Sequence, residues 1–129
     1  MPNWFEPPMT TLIDTALLGL IEEAGTAVAI LTEGLERAEL LRSRLTRAQV
    51  LQQLKTLSNS MAQVAPAARQ EMPELDWSGW DALNPRLNAP PGEVLDEALW
   101  FACEAMVPAT LLWLRVYRQN QPELFRMAP

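Results

Sequence analysis

Two pairs of acidic residues stand at a spacing that could support metal chemistry. Glu36 and Glu39 form one pair, and Glu93 and Asp96 form the other. Residues three apart share one face of a helix, and carboxylates from neighbouring helices are ligands that Mg²⁺ prefers. The two pairs are too far apart in the chain for consecutive helices of a bundle, and acids are common at helix starts in any case. We therefore predict no metal site.

Nucleophilic and acid–base chemistry also lack their usual carriers, because the chain contains no histidine. Histidine is the usual general base and the usual partner of a nucleophile. The serines have no histidine to activate them, and Cys103 lies in an apolar run where a thiol behaves as a small hydrophobic side chain. The isolated glycines form no phosphate-binding loop. The residues therefore indicate no catalytic group and no cofactor.

Composition predicts one well-ordered domain that does not bind nucleic acid. The chain has 129 residues, 49% of them hydrophobic, and a formal net charge of −6 that repels nucleic acid and anionic lipid. Basic residues do gather between Arg37 and Lys55, but glutamates stand among them. This pattern favours a solvated helix face over a phosphate-binding patch. A single cysteine suits a reducing, cytoplasmic setting.

The pattern of apolar residues predicts an all-α, up-and-down bundle of three long helices with short connecting helices. We expect an extended lead-in over residues 1–10, one helical domain over residues 11–119 and a tail over residues 120–129. The long helices should span about 11–31, 46–64 and 93–119. On the first helix, one buried face is predicted from the four-and-three spacing of Ile13, Leu17, Leu20, Ala24, Ala27 and Leu31.

The predicted connectors end in a proline-rich loop. Asp76 should cap a short helix that runs from Trp77 to about Leu83, and the loop Asn84–Gly92 should follow it. In the last helix, Pro108 should introduce a kink. The run from Ala98 to Leu114 is nearly all apolar, but Glu104 and Pro108 interrupt it, so we predict a buried core helix rather than a membrane span.

The segment from Thr46 to about Leu114 resembles the HepT-like branch of the HEPN superfamily. Members are small all-α homodimers, often ribonuclease toxins paired with a nucleotidyltransferase antitoxin. The family pattern has a turn with P-E-I-P-W, a short helix, the motif R-N-x-L-x-H-x-Y and a final helix with L-V-W and L-P. The matching pieces here are APAARQEMPELDW from Ala65, NPRLNAPP from Asn84, ALW from Ala98, and Val107 with Pro108.

The chain matches the order and spacing of the family's sequence pieces but lacks the reactive side chains of the motif. The family's arginine falls on Asn84, its histidine on Ala89 and its tyrosine on Pro91, and a glutamate of the preceding long helix falls on Asn59. Asparagine carries no positive charge, alanine exchanges no proton and proline offers no hydroxyl. Arg86 could replace part of the missing charge, but nothing replaces the histidine.

The resemblance therefore implies a catalytically inactive, homodimeric regulatory or interaction module, with a nucleotidyltransferase-type protein as a possible second partner. Two copies of the Asn84–Pro91 loop would form a cleft, with Asn59, Asn84, Arg86 and Asn88 as its binding residues. One alternative is an active, metal-independent ribonuclease that uses Arg86, Asn59 and Glu104. Another is a membrane-associated helical protein that uses the last helix.

Overall fold

The computed structural model describes the backbone of residues 6–126 and the side chains of residues 12–126. This part of the chain forms helices and contains no strand, so the all-α prediction is confirmed. In chain order the helices are α1 (Glu6–Thr32), α2 (Arg37–Arg42), α3 (Arg44–Gln63), α4 (Pro66–Glu71), α5 (Trp77–Leu87), α6 (Glu93–Phe101), a π-helical turn (Ala102–Met106), α7 (Val107–Asn120) and a 3₁₀ turn (Pro122–Phe125).

Four helical segments enclose the core. Helix α1 packs against α3 on one side and α7 on the other, α3 packs against α5, and α5 packs against α6. Short α5 thus lies across the core from α1 and completes a bundle whose other three members are long. The side chains that are almost completely buried include Leu18, Ile21, Leu40, Leu54, Leu57, Met61, Met72, Trp80, Leu87, Leu99 and Leu114.

Glycine allows the turn that reverses the chain after α1. Gly34 has a φ of 75°, in the left-handed region that side chains rarely adopt. The amide of Leu35 donates to the carbonyl of Thr32 across this turn. Glu36 and Glu39 then form a reciprocal capping box at the start of α2.

Three helix boundaries differ from the sequence-based prediction. Helix α1 already begins at Glu6, since prolines are tolerated in a first turn whose N–H groups have no partner inside the helix. The rest of the predicted lead-in, residues 1–5, lies outside the described residues. Helix α3 begins at Arg44, two residues before the predicted cap at Thr46.

Helix α5 also runs to Leu87, four residues beyond its predicted end at Leu83. Asn84, Pro85 and Arg86 are therefore helical, and the loop before α6 is confined to residues 88–92. Pro85 removes one backbone hydrogen bond from this helix. The side chain of Leu87 is completely buried, and we infer that this burial carries the helix past the proline.

The last long helix changes its hydrogen-bond register ahead of Pro108. The turn Ala102–Met106 is π-helical, and the amide of Val107 donates to the carbonyl of Ala102, five residues earlier. Pro108 cannot donate, and its ring crowds the carbonyl four residues before it. A wider turn relieves this crowding, so the irregularity predicted for Pro108 is centred on the turn that precedes it.

The chain after α7 belongs to the fold as far as Arg126, although the sequence suggested a tail. Leu124 and Phe125 are half-buried in the 3₁₀ turn. The hydroxyl of Thr15 donates to the carbonyl of Leu124 at 2.8 Å, and the guanidinium of Arg118 stands 4.5 Å from the ring centre of Phe125. These contacts attach the segment to α1 and α7. Residues 127–129 lie outside the described residues.

Candidate interaction site around Asn84

The structure brings three of the four predicted site residues together where α5 meets α3. Asn84 Nδ2 donates to Ser58 Oγ at 2.7 Å and to Asn59 Oδ1 at 3.0 Å. The side chain of Asn88 donates to the carbonyl of Asn84 at 2.9 Å. We call Ser58, Asn59, Asn84 and Asn88 the amide cluster. Its contacts join the C-terminal half of α3 to the end of α5.

Arg86 is separate from the amide cluster. It follows Asn84 by two positions on a helix, so the two side chains point to nearly opposite sides of α5. Its guanidinium lies 3.8 Å from a carboxylate oxygen of Glu97 on α6, and both side chains are about half exposed. Arg86 therefore does not supply positive charge beside Asn84. The two residues were predicted to line one cleft, and within a single chain they lie on different sides of α5.

The amide cluster carries no charge and no group that exchanges protons near neutral pH. Each of its side chains is an amide or a hydroxyl. Ala89 and Pro91, at the positions of the family's histidine and tyrosine, follow in the short loop after α5. This surface can exchange hydrogen bonds with a partner, but it lacks a general acid, a general base and a fixed cation.

The side chains named in the ribonuclease alternative lie on three different helical elements. Asn59 lies on α3, Arg86 on α5 and Glu104 in the π-helical turn. Among the described residues, no hydrogen bond or ion pair links any two of these three.

The paired carboxylates have structural contacts. Glu39 accepts a hydrogen bond from the amide of Glu36 at 3.0 Å, and Asp96 forms an ion pair with Arg47 that ties α6 to α3. In residues 12–126, no three acidic or cysteine side chains are grouped as a metal ion would require. The acidic pairs at i, i+3 therefore stand at the starts of α2 and α6, where they cap a helix or form an ion pair.

Cys103 sits half-buried in the π-helical turn. Burial raises the pKa of its thiol to about 12, because an apolar environment disfavours the thiolate. The thiol is therefore protonated at neutral pH and is a poor nucleophile.

Arg69 has a structural role that was not predicted from the sequence. Its guanidinium donates to the carbonyls of Val64, Met61 and Ala62 at 3.1–3.2 Å, at the C-terminal end of α3 where helix carbonyls lack intrahelical i+4 partners. It also stands 5.1 Å from the ring centre of Trp77. The position of Arg69 a few residues beyond a helix end was the available signal, because cations are favoured there.

Two further contacts fix the segment around α4. The buried carboxylate of Asp14 accepts a hydrogen bond from the amide of Ala65 at 3.1 Å, which connects α1 to the start of α4. The hydroxyl of Tyr117 accepts from the amide of Glu74 and donates to that residue's carboxylate. Partners this distant in sequence leave no local pattern, so neither contact could be predicted.

The two tryptophans of α5 stabilise the bundle. Trp80 is fully buried, and its Nε1 donates to Thr110 Oγ1 at 3.0 Å. Trp77 is half-buried, and its Nε1 donates to the carbonyl of Met72 at 3.0 Å. Both indole N–H groups are therefore bonded inside the fold.

Large apolar side chains are exposed on the outward faces of two long helices. On α1 these are Leu12, Ile13, Leu20 and Ile30, and on α6 and α7 they are Val94, Phe101 and Leu112. Within the described residues, Leu12–Thr32 and Glu93–Asn120 are long and apolar enough to cross a membrane. Core helices pass the same test of length and composition. The predicted burial of Ile13 and Leu20 is wrong, since the buried face of α1 contains Leu18, Ile21 and Val28 instead.

Comparison of the chain with protein-family models, with curated proteins and with solved structures found no match. The resemblance to HepT-like proteins therefore rests on the sequence pieces that suggested it.

Proposed function

We propose that the protein is a catalytically inactive, HepT-like regulatory or interaction module that acts as a cytoplasmic homodimer. The observation that carries the proposal is the set of hydrogen bonds between Asn84, Ser58 and Asn59. At the position where an active family member would hold its arginine, this chain has a neutral side chain that joins two helices. A residue used in this way stabilises the fold and offers no positive charge to a phosphate.

The exposed apolar residues support a role in binding another protein. Exposed apolar surface marks sites of interaction with other proteins, and Ile13, Ile30 and Leu112 are each more than half exposed. A homodimer is the first partner in the proposal, and a nucleotidyltransferase-type protein is the second because members of the resembled family pair with one.

Two measurements on the purified protein test the proposal. Light scattering at micromolar concentration should give twice the mass of one chain. Incubation with single-stranded and structured RNA in the presence of a chelator should leave the RNA intact. A monomer would contradict the homodimer, and cleavage that Arg86→Ala abolishes would support the ribonuclease alternative and refute the inactive module.

The apolar lengths of α1 and the last long helix favour a second candidate, a membrane-associated protein. Sedimentation of a cell lysate distinguishes the candidates. An interaction module stays in the supernatant at low salt, whereas a membrane-associated protein enters the pellet and is released only by detergent.

A further inference from the structure

A cavity of about 240 Å³ lies where the last long helix meets the connector between α4 and α5. Glu74 and Asp76 line it from the connector, and Ala105, Ala109 and Trp113 line it from the π-helical turn and α7. We call it the Trp113 cavity. Pockets that hold a whole drug-sized ligand measure about 300–1,000 Å³. The Trp113 cavity is smaller, so it suits one chemical group such as a single long side chain.

The fold holds both carboxylates of the Trp113 cavity in place. Glu74 accepts a hydrogen bond from the hydroxyl of Tyr117, whose side chain is buried. Asp76 Oδ1 accepts a hydrogen bond from the amide of Gly79 at 2.9 Å. A carboxylate can accept about four hydrogen bonds, so each group retains capacity for a ligand. Among the ion pairs of residues 12–126, none includes either carboxylate, and the cavity therefore presents two fixed negative charges.

Trp113 adds an aromatic wall to the two charges. Its half-buried ring packs against Tyr117, with the ring centres 6.2 Å apart. The face of an indole ring attracts cations, and a guanidinium group both stacks on such a ring and pairs with carboxylates through several N–H groups. Ala105 and Ala109 carry only methyl groups and leave space beside the ring. This combination of groups recognises an organic cation.

Exposed apolar surface continues from the Trp113 cavity along the last long helix. Leu112 follows Ala109 by three residues and Phe101 precedes Ala105 by four, so each side chain neighbours the cavity on the helix surface. Their side chains are 55% and 50% exposed. A small cation would leave this surface in water, whereas a protein segment would cover it while one of its side chains enters the cavity. The surface therefore favours a polypeptide over a small molecule.

We propose that the Trp113 cavity receives an arginine side chain of another protein, whose neighbouring apolar residues cover Phe101 and Leu112. The net charge of −6 draws a basic partner towards the chain. Arginine fits better than lysine, because the planar guanidinium stacks on an aromatic ring and the compact ammonium of lysine does not. This contact rests on the interaction role proposed above, whose second partner it describes, and does not depend on the homodimer.

Titration with amino-acid derivatives tests the recognition of a cation. The probes are N-acetylarginine amide, N-acetyllysine amide and N-acetylcitrulline amide, of which the last is an uncharged analogue of the first. Indole N–H signals in heteronuclear NMR spectra report binding, and Trp113→Phe identifies the signal of Trp113. The arginine derivative should shift this signal with a Kd on the order of 1 mM, and citrulline should bind about 10-fold more weakly or less. Equal binding of these two probes, tighter binding of lysine, or an unmoved Trp113 signal would overturn the proposal.

Substitutions locate the binding site. Glu74→Gln and Asp76→Asn together remove both negative charges, but they keep an acceptor for Tyr117 and an N-cap for α5. This double variant should bind N-acetylarginine amide about 10-fold more weakly than the parent does. Glu33→Gln removes an exposed carboxylate at the turn after α1, and as the matched control it should leave the Kd unchanged. Unchanged binding by the double variant would refute this site, and the citrulline comparison needs no variant.

A peptide distinguishes a protein partner from a small cation. The amidated, acetylated peptide Leu-Ala-Arg-Ala-Leu should bind about 10-fold more tightly than N-acetylarginine amide, because its leucines cover Phe101 and Leu112. Leu112→Ser should reduce that gain and leave the Kd of N-acetylarginine amide unchanged. A peptide that binds no more tightly than the single residue would refute a polypeptide partner at this surface. None of these results alters the mass from light scattering or the stability of RNA, which test the proposed function separately.

Discussion

Trp80 Nε1 donates to Thr110 Oγ1 at 3.0 Å, and the same hydroxyl donates to the carbonyl of Met106 at 2.7 Å. These two consecutive hydrogen bonds, the Thr110 relay, join α5 to the start of α7. They also give the carbonyl of Met106, the last residue of the π-helical turn, a hydrogen-bond donor. Both side chains are buried, so the hydroxyl satisfies two polar groups that water does not reach.

Replacing Thr110 with valine should destabilise the protein. The change keeps the side-chain volume but leaves a buried indole N–H without a partner, which costs about 1–3 kcal/mol. Urea unfolding followed by tryptophan fluorescence measures the loss. Thr110→Ser retains the hydroxyl, so its free energy of unfolding should decrease by less than that of the valine variant. Equal stability of Thr110→Val and the parent would contradict the role of the relay.

Two glycines of α1 should respond differently to alanine. A Cβ at Gly19 meets nothing within 4 Å, whereas a Cβ at Gly25 would lie 3.0 Å from Cδ2 of Leu111. Gly19→Ala should therefore stabilise the protein by about 0.5–1 kcal/mol through helix propensity.

The free energy of unfolding of Gly25→Ala should be lower than that of Gly19→Ala by about 1 kcal/mol or more. Both variants gain helix propensity, but in Gly25→Ala overpacking against Leu111 offsets the gain. Thermal unfolding of the two variants in parallel gives the comparison. Adding Leu111→Ala to Gly25→Ala provides space for the new methyl group. Equal stabilisation by both single variants would show that α7 does not pack closely on Gly25.

Removing the side chain of Asn84 should affect stability rather than any chemical activity. Asn84→Ala loses the hydrogen bonds to Ser58 and Asn59, and two partly exposed bonds of this kind contribute about 1–2 kcal/mol together. Chemical unfolding measures the change. Arg86→Ala, which breaks only an exposed ion pair, is the matched control and should cost less than about 1 kcal/mol. If Arg86→Ala is the more damaging change, the amide cluster is not the main link between α3 and α5.

Cys103 should make stability fall at alkaline pH. The folded state raises the pKa of its thiol from 9.0 to about 12, so the folded chain holds a proton that the unfolded chain loses first. The contribution of the protonated thiol to the free energy of unfolding is complete below pH 9 and is lost as pH rises towards 12. Unfolding free energies measured across this interval should decline less in Cys103→Ala. The same burial should make the folded thiol react with Ellman's reagent at pH 8 much more slowly than the thiol unfolded in guanidinium. Equal reaction rates of the folded and the unfolded thiol would contradict the burial of Cys103.

Local sequence patterns predicted the helices better than their ends. Asp76 accepts a hydrogen bond from the amide of Gly79 and caps α5 as expected, because a cap depends on residues three apart. The end of α5 was missed because Pro85 and the following polar loop gave a stop signal that burial of Leu87 outweighed. The start of α3 was missed because Ser43 and Thr46 are both residue types that cap helices, and the N-cap, Ser43, makes no side-chain cap bond.

The candidate site was only partly accessible from the sequence. Its residues were known, but Asn84 joins a partner 26 positions earlier while Arg86 turns to α6. The two-residue offset between Asn84 and Arg86 has this effect only because the segment is helical, where neighbours two apart diverge. A loop would have allowed both side chains to reach one surface.

The sequence by itself determined an all-α fold, the absence of histidine and the lack of an ordinary catalytic group, because composition and short-range periodicity are local properties. Tertiary structure alone decided which face of α1 is buried. That helix is apolar on almost every side, so periodicity could not choose between Leu20 and Ile21, of which only Ile21 is buried. The positions of α3 and α7 made the choice, and they left Ile13, Leu20 and Ile30 exposed.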